Sequence, residues 1–422
     1  MTLTSRERLI LTLNHEEPDR VPLDLGATAQ TGINASTLYQ LRKALGLQSK
    51  PITVHEPAQI LGVVDRDVMQ ALGVDVIGLW NPVNTVGVRN TDWKPWTMPD
   101  GTPTMMAGGM RLSVDDSGNT YLYPQGDASV SPSMKMPAEG YSFDNIDRGG
   151  DYDEDALNAR RDFSEDFTVF DDDTARYLES ESERLYETTS YGIVGNWAGG
   201  GFGDVFTLPA PWLTKVPHGI RKMEDWLTAH VLYQDYIREL FDMQSEIALK
   251  NLEIYRQAVG ERIQVIWVSG TDFGTQNGPF FSPEIYRKLY KPFHKKLNDW
   301  IHKNTNWKIF YHSCGSVVSL LDDFVEAGVD ILNPVQCSSA GMDPVMLKQK
   351  YGKTLVFWGG GVDTQRVLPF GTPEEVRAEV NQRLRIFAPG GGFVFNTIHN
   401  IVGGVPAENL TAMYDAVREN NA

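Results

Sequence analysis

The central segment of the chain reads Trp307-Lys308-Ile309-Phe310-Tyr311-His312-Ser313-Cys314-Gly315. Its first part is mostly apolar and predicts a short buried strand. The residues that follow, 316–327, predict a helix that ends before Gly328. His312 and Cys314 are therefore expected where a strand hands over to a helix, at a turn that Gly315 permits.

His312 and Cys314 stand two residues apart, and their side chains can point to one place if the chain turns between them. Imidazole nitrogen and thiolate sulfur form a donor set that suits zinc. The chain contains two cysteines, Cys314 and Cys337. A buried cysteine more often packs as a small apolar side chain. The motif alone therefore leaves a zinc site and a packing role open.

Strand and helix patterns alternate on both sides of this segment. Strands are predicted at 20–26, 74–80, 193–197, 263–268, 308–311, 330–333, 354–358 and 393–396. Helices are predicted at 5–14, 36–45, 57–72, 172–187, 220–230, 235–259, 282–303, 316–327, 344–351, 372–387 and 406–419. About eight strands alternating with helices indicate a parallel α/β fold, most simply a (β/α)8 TIM barrel.

Residues from about 86 to 173 differ in character from the rest of the chain. Glycine, proline and aspartate turns dominate, and short alternating runs at 110–114 and 120–123 are typical of hairpin strands. We predict an antiparallel hairpin insertion within a single domain that spans 1–422. The insertion is expected either to cap the barrel mouth or to form a homodimer contact.

The composition excludes some classes of partner. The formal net charge of the 422 residues is -17, which argues against a nucleic-acid-binding face and against an anionic membrane surface. The sequence shows no secretory signal pattern and no apolar run long enough to span a membrane. Two cysteines give no disulfide framework, so a cytoplasmic location is expected.

Barrel enzymes carry their chemistry on the loops after the carboxyl ends of the strands. Four candidate metal ligands follow predicted strands, so we expect them at one mouth; they are His312, Cys314, Cys337 and His399. For His399 the alternative is an ordinary loop histidine, and for Cys337 it is packing.

Asp272 and Gln276 follow the strand predicted at 263–268 and lie on either side of Gly274. Asp272 is predicted to hydrogen-bond a zinc-ligating histidine and so fix its tautomer. Gln276 is predicted to hold an amide or carboxylate of the substrate. The alternative is structural: Asp272 caps the loop, and Gln276 braces the chain ahead of the helix that starts at Ser282.

Asn196, Trp197 and Asn396 end two predicted strands and are candidates for contacting a large planar ligand. Core packing explains a tryptophan at such a position at least as often. The glycine-rich run at 198–203 lacks the G-x-G-x-x-G frame of a dinucleotide site, and we predict a flexible loop over the mouth.

Several motifs, in order, resemble the uroporphyrinogen decarboxylase superfamily. Asp272-Phe273-Gly274-Thr275-Gln276 and Ser282-Pro283-Glu284 resemble its D-x-G-x-Q and S-P-E signature. His312-Ser313-Cys314-Gly315 resembles the H-x-C-G of its corrinoid methyltransferase branch. Phe395 to His399 and Pro406 to Asn409 occupy the place of its last strand and closing helix. The resemblance covers most of the chain and implies the barrel.

The resemblance also indicates which branch of the superfamily the chain is more similar to, the decarboxylases or the methyltransferases. Tetrapyrrole decarboxylases carry an arginine-rich N-terminal segment, whereas this chain has Leu23-Asp24-Leu25-Gly26-Ala27-Thr28 there. The methyltransferase branch holds zinc with a histidine, a cysteine and a further cysteine near the last strand. His312 and Cys314 match the first two, and His399 or Cys337 would complete the set.

Three functions follow as expectations. The first is a zinc-dependent methyltransferase that moves a methyl group from the methylcobalamin of a corrinoid partner protein to a small-molecule acceptor, a thiol or a folate. The second is a decarboxylase of the same fold acting on a carboxylated substrate, with Asp75 or Asp272 as the acid–base group. The third is a corrinoid- or tetrapyrrole-binding carrier without catalysis.

Overall fold

The computed structural model of this chain describes residues 3–421. Its strands are β1 (Ile52–Glu56), β2 (Leu61–Gly62), β3 (Val76–Leu79), β4 (Lys94–Thr97), β5 (Pro103–Met106), β6 (Leu112–Val114), β7 (Thr120–Leu122), β8 (Met134–Met136), β9 (Asp144–Asn145), β10 (Gly192–Asn196), β11 (Val265–Ser269), β12 (Lys308–His312), β13 (Ile331–Asn333), β14 (Val356–Trp358) and β15 (Phe393–Val394). Its α-helices are α1 (Ser5–Leu13), α2 (Ala35–Ala44), α3 (Arg66–Leu72), α4 (Ala159–Asp162), α5 (Asp172–Thr188), α6 (Met223–Leu232), α7 (Gln234–Val259), α8 (Pro283–Ile285), α9 (Lys291–Asn304), α10 (Leu321–Glu326), α11 (Pro344–Tyr351), α12 (Val367–Phe370), α13 (Pro373–Phe387) and α14 (Ala407–Asn420). Short 3-10 turns lie at Pro124–Gly126, Glu154–Ala156, Gly260–Arg262 and Val318–Leu320, and a π turn lies at Tyr286–Tyr290.

The main sheet is parallel and curls into a barrel. Seven strands follow the order β15-β14-β13-β12-β11-β10-β3. Leu23 lies between the two edge strands of this sheet, because it pairs in parallel with Phe395 and its carbonyl accepts a hydrogen bond from Asp75 N. The segment around Leu23 therefore takes the eighth strand position. The predicted α/β TIM-barrel fold is confirmed, and its predicted strands fall on this segment and on β3 and β10 to β15.

The barrel interior is filled by every second residue of the strands. Val194, Val265 and Phe310 belong to one buried cluster, and Leu9 and Leu13 of α1 join it. The intervening strand residues pack outward in a second cluster under the surrounding helices. Since both faces of a parallel sheet are covered, its strands are short apolar runs rather than alternating ones.

The inserted segment forms antiparallel strands, as the turn-rich sequence predicted. β6, β7, β8 and β9 make one four-stranded antiparallel sheet, with Leu112 opposite Leu122. β4 and β5 make an antiparallel pair, but β5 also pairs in parallel with β1. The insertion therefore shares a sheet with residues that precede it in the sequence.

The helix predicted over 57–72 is wrong in its first half. Leu61 lies in β2 and pairs with Glu56 of β1, and the helix begins only at Arg66. The Glu56 carboxylate accepts hydrogen bonds from the backbone of Ala58 and Gln59, which turns the chain tightly after β1. A side chain that bonds nearby backbone groups in this way competes with helix formation.

Residues 3–421 contain no helix that combines the length and apolarity needed to cross a membrane.

Candidate metal centre

The structure brings His312, Cys314 and His399 together at the carboxyl end of the barrel. One ligand atom of each lies within 4.8 Å of the others. His312 ends β12, Cys314 lies two residues on, and His399 follows β15. The parallel strands place their carboxyl ends at one mouth, so residues distant in sequence meet there.

His312 is buried and held in one tautomer. Asn333 donates its Nδ2 hydrogen to the Trp358 carbonyl, so its Oδ1 is the atom that faces the ring. His312 Nδ1 lies 2.5 Å from this oxygen and therefore carries the proton. The Nε2 lone pair is left to point at Cys314 Sγ, 3.2 Å away. Burial lowers the pKa of His312 to about 4, which keeps the ring neutral at neutral pH.

Cys314 lies in a pocket that disfavours its anionic form. Burial raises the pKa of its thiol well above the ordinary value, and the carboxylate of Asp272 adds to the increase. A metal cation reverses this balance, because a coordinating thiol loses its proton outright. The surroundings of Cys314 would thus suit a thiolate only with a cation beside it.

Two glycines fix the turn that carries Cys314. Gly315 has a φ of +83°, and a side chain there would lie 2.5 Å from the Gly274 carbonyl oxygen. A side chain on Gly274 would meet the Cys314 carbonyl at 2.6 Å. The close backbone approach at Gly274 is therefore between these two loops. The backbone of Ser316 also donates to the Thr275 carbonyl.

His399 adopts a backbone conformation that is unusual for a residue other than glycine. Its φ is +70°, and Thr397 Oγ1 donates to its carbonyl at 2.6 Å. Such strained positions concentrate at functional sites. Burial, reinforced by the nearby His312, lowers the pKa of His399 to about 3. Both histidines therefore offer neutral rings.

The donor set fits zinc. Two neutral imidazoles and one thiol are three zinc-type ligands, and catalytic zinc sites keep a fourth position for water or substrate. The Asn400 backbone donates to His399 Nδ1 at 2.7 Å, so the neutral ring carries its proton on Nε2. Binding a metal through Nε2 thus requires this ring to turn or to move its proton.

Asp272 lies against the group of three and contacts the Cys314 backbone. Its Oδ1 accepts the Cys314 backbone hydrogen at 2.7 Å and lies 3.6 Å from His312 Nε2. The residue that fixes the His312 tautomer is Asn333. Sequence reasoning missed that residue, although it ends a predicted strand beside His312.

Asp204 was also missed, and it pairs with Asp272. The Asp272 backbone donates to Asp204 Oδ1 at 3.2 Å. The pKa of each carboxyl is raised to about 6, by burial for both and, for Asp204, also by the neighbouring Asp272 carboxylate. Asp204 follows the glycine-rich run after β10, so the strand-end argument could have found it.

Gln276 and Cys337 lie outside the group of three. Gln276 is exposed, donates to Gln365 Oε1 at 3.2 Å and accepts from Ser339 at 3.3 Å. Cys337 is partly buried against the main apolar cluster, and burial raises the pKa of its thiol to about 12. The predicted roles of both residues remain predictions.

Asp75 lies at the other end of the barrel. It precedes β3, and its carboxylate accepts hydrogen bonds from Arg8, Arg20 and the Leu23 backbone at 2.7–3.0 Å. The side chain is fully buried. The structure therefore surrounds Asp75 with ion-pair partners and does not bring it to the mouth.

Asn196 ends β10, and Trp197 and Asn396 lie just after the ends of β10 and β15. Asn196 Nδ2 donates to the Ala27 carbonyl and Asn396 Nδ2 to the Asp24 carbonyl, so both amides hold the loop after the eighth strand position. Asn196 Oδ1, Asn396 Oδ1 and Trp197 Nε1 are buried without a hydrogen-bond partner among residues 3–421. Their contact with a planar cofactor remains a prediction.

Comparison with known proteins agrees with this architecture. Residues 210–420, half of the chain, match the family described as Uroporphyrinogen decarboxylase (URO-D). The chain belongs to this enzyme family. No curated protein matches it by sequence.

One solved structure with the same fold is a methyltransferase from Methanosarcina mazei. The two chains superpose with a TM-score of 0.55 over the whole length of each, at 18% sequence identity. A likeness at this identity concerns the fold, and the chemistry has to be argued from the site.

Proposed function

We propose that this protein is a cytoplasmic, zinc-dependent methyltransferase that transfers a methyl group from the methylcobalamin of a corrinoid protein to a thiol or folate acceptor. The observation that carries the proposal is the convergence of His312, Cys314 and His399 at the barrel mouth. Membership of the uroporphyrinogen decarboxylase family and the shared fold with a methyltransferase support it.

The chain's own residues would hold and orient the metal. His312 presents Nε2 because Asn333 holds the proton on Nδ1, and Cys314 is placed by the Gly274–Gly315 contact. When bound, zinc would lower the pKa of an acceptor thiol and so make it a nucleophile at neutral pH. Since His312, Cys314 and His399 would supply three ligands, zinc held by them would keep a position for that acceptor.

Metal content of the purified protein tests the ligand set. Wild type is expected to hold stoichiometric zinc, and Cys314→Ala and His399→Ala are expected to lose it. Cys337→Ala is the matched control, because it removes the other partly buried cysteine outside the group of three. The ligand set is wrong if wild type purified after growth with excess zinc contains none. It is also wrong if Cys314→Ala keeps its zinc.

Methyl transfer tests the reaction. Free methylcobalamin would be offered with a small thiol or with tetrahydrofolate, and its absorbance would be followed. We expect turnover with one of the two acceptors and its loss in Cys314→Ala. Cofactor binding without turnover with either acceptor, in zinc-loaded protein, would instead support the carrier function.

Decarboxylation is the second candidate reaction, because the family is described as Uroporphyrinogen decarboxylase. Arg8 and Arg20 are both committed to Asp75, at the end of the barrel opposite the metal ligands. These two arginines are therefore not available for the carboxylates of uroporphyrinogen. We expect no conversion of uroporphyrinogen, and formation of a decarboxylated product would reverse the order of the two candidates.

A further inference from the structure

Helix α6 exposes a row of apolar side chains. Met223 is 41% exposed at its start, and Val231 is 64% exposed near its end. Leu227 is half-buried between them, four residues from each, so the three side chains follow one side of the helix. At 1.5 Å per residue the row is about 12 Å long. Single exposed apolar residues are ordinary, whereas a continuous row with further apolar neighbours marks an interaction surface.

A cleft lies at each end of this row. Near the start of α6, a cleft of about 380 Å³ is lined by Met223, Phe206 and Trp212, and Phe206 is 44% exposed. At the other end, a cleft of about 490 Å³ is lined by Val231 and Leu232, and Leu232 is 64% exposed. The apolar surface therefore continues beyond the row at both ends, and each cleft can receive a side chain.

An acidic segment, residues 144–155, lies beside α6. Asp147 lines the first cleft. Asp151 lies 3.3 Å from Lys222, the residue just before the helix. Glu154 lines the second cleft. The acidic segment therefore accompanies the apolar row from one cleft to the other.

The acidic segment gives this face of the molecule a negative potential. All of its carboxylates are exposed, and they belong to Asp144, Asp147, Asp151, Asp153, Glu154 and Asp155. The basic residue of the segment is Arg148. Arg148 is half-buried, and its guanidinium donates to the backbone carbonyls of Pro211 and Lys215 at 2.5 and 3.3 Å. Carboxylates of one sign along a surface attract a partner of the opposite sign.

The negative potential limits what can cover the apolar row. In a two-fold dimer the same surface faces itself, so one acidic segment would lie against the other. An anionic membrane surface would be repelled for the same reason. A protein segment with apolar and basic side chains suits both parts of the surface. Because the i, i+4 ridge of one helix packs into the grooves of another, we expect that segment to be helical.

We propose that α6 and the acidic segment dock a basic amphipathic helix of a partner protein. The apolar side of that helix lies on Met223, Leu227 and Val231, and its lysine or arginine side chains face the carboxylates of residues 144–155. These residues lie outside the group of three metal ligands. Zinc content should be the same in variants of this surface as in wild type, so this proposal and the proposed function can fail separately.

A labelled model helix tests the docking surface. The probe is a lysine–leucine peptide whose leucines recur at i, i+3, i+4 and i+7, and its binding to the whole protein is followed by fluorescence anisotropy. One control peptide has the same composition in an order that gives no apolar face, and the other replaces each lysine by glutamate. Wild type is expected to bind the probe at least about tenfold more tightly than either control. The affinity should fall as sodium chloride is raised, because the carboxylates are exposed.

Apolar variants locate the binding on α6. Val231→Ser combined with Leu232→Ser removes apolar contact at the end of the row and should weaken binding about tenfold. Val345→Ser is the matched control, because it changes a 44% exposed valine of α11 that lines neither cleft. Binding in this control should equal that of wild type.

Charge variants test the acidic segment. Asp153→Asn combined with Glu154→Gln should weaken binding about threefold and reduce its dependence on salt. Glu183→Gln combined with Glu187→Gln removes two exposed carboxylates of α5 and should leave binding unchanged.

The proposal is overturned if wild type does not bind the probe or binds either control peptide equally well. It is also overturned if the apolar double variant binds as wild type does. Self-association of wild type in sedimentation, or binding to anionic vesicles, that the same double variant abolishes would assign the surface to another occupant and reject a basic helix. The peptide comparisons use wild type, so a variant that fails to fold does not protect the idea, and thermal unfolding identifies such a variant.

Discussion

At the scale of single residues, the candidate metal centre depends on side chains that are not themselves ligands. Asn333 uses both ends of its amide, donating to the Trp358 carbonyl and accepting from His312. This arrangement decides which imidazole nitrogen is free. Contacts of this kind typically change metal affinity by about 10- to 100-fold when removed.

Asn333→Ala is therefore expected to weaken zinc binding about 10- to 100-fold, because His312 loses the group that holds its proton on Nδ1. Competition with a chromogenic chelator measures this. Asn298→Ala is the matched control, since Asn298 is a buried asparagine that bonds Ala327 and Tyr311 instead. Wild-type zinc affinity in Asn333→Ala would show that the tautomer is fixed in another way.

At the scale of elements, the site depends on two loops touching through their backbones. The loop after β11 and the turn after β12 meet at Gly274 and Gly315, and the Phe273 backbone donates to Ser313 Oγ at 2.9 Å. The contact places the Cys314 backbone within reach of Asp272. The position of one ligand thus follows from how closely two loops can pack.

Gly315→Ala tests this packing. The left-handed backbone alone costs a residue with a Cβ roughly 1–2 kcal/mol, and the clash with Gly274 adds to it. Gly46→Ala is the matched control, because Gly46 has a φ of +67° but nothing within 4 Å of its added carbon. Urea unfolding should show a larger loss of stability in Gly315→Ala, together with lost zinc. Equal losses of unfolding free energy in the two variants would mean that the contact between the two loops does not contribute to stability.

At the scale of the whole molecule, a buried ion-pair network closes the barrel. Asp75 joins Arg8 of α1 and Arg20, and it also accepts from the Leu23 backbone at the eighth strand position. Arg8 also binds Asp19 through two hydrogen bonds of 2.7 and 2.9 Å. The network thus connects α1, which packs against the barrel interior, to the segment around Leu23 and to the residue before β3.

Arg8→Met is expected to lower the free energy of unfolding by about 3 kcal/mol, near the lower end for a broken buried ion pair, because Arg20 still compensates Asp75. Arg377→Met, which breaks an exposed pair with Glu419, should change it by less than about 1 kcal/mol. Denaturant unfolding compares the two. Turnover per folded molecule should be unchanged in Arg8→Met. A loss of turnover without a loss of stability would instead favour an acid–base role for Asp75.

The sequence by itself determined the order of strands and helices and hence the barrel, because hydrophobic periodicity and turn residues act locally. It also placed His312, Cys314 and His399 at one mouth, since the carboxyl ends of parallel strands share an edge. It failed at residues 57–72, where the Glu56 carboxylate turns the chain and an apolar run becomes a strand.

Only the tertiary structure decided which of those side chains converge. His399 joins His312 and Cys314 through a left-handed backbone in the loop after the last barrel strand, and Asp204 reaches Asp272 from another loop. Asp75, which sequence reasoning placed in the chemistry, is instead enclosed by arginines from the N-terminal segment. Side-chain direction and loop conformation depend on contacts between residues far apart in the chain, and local sequence patterns carry no record of those contacts.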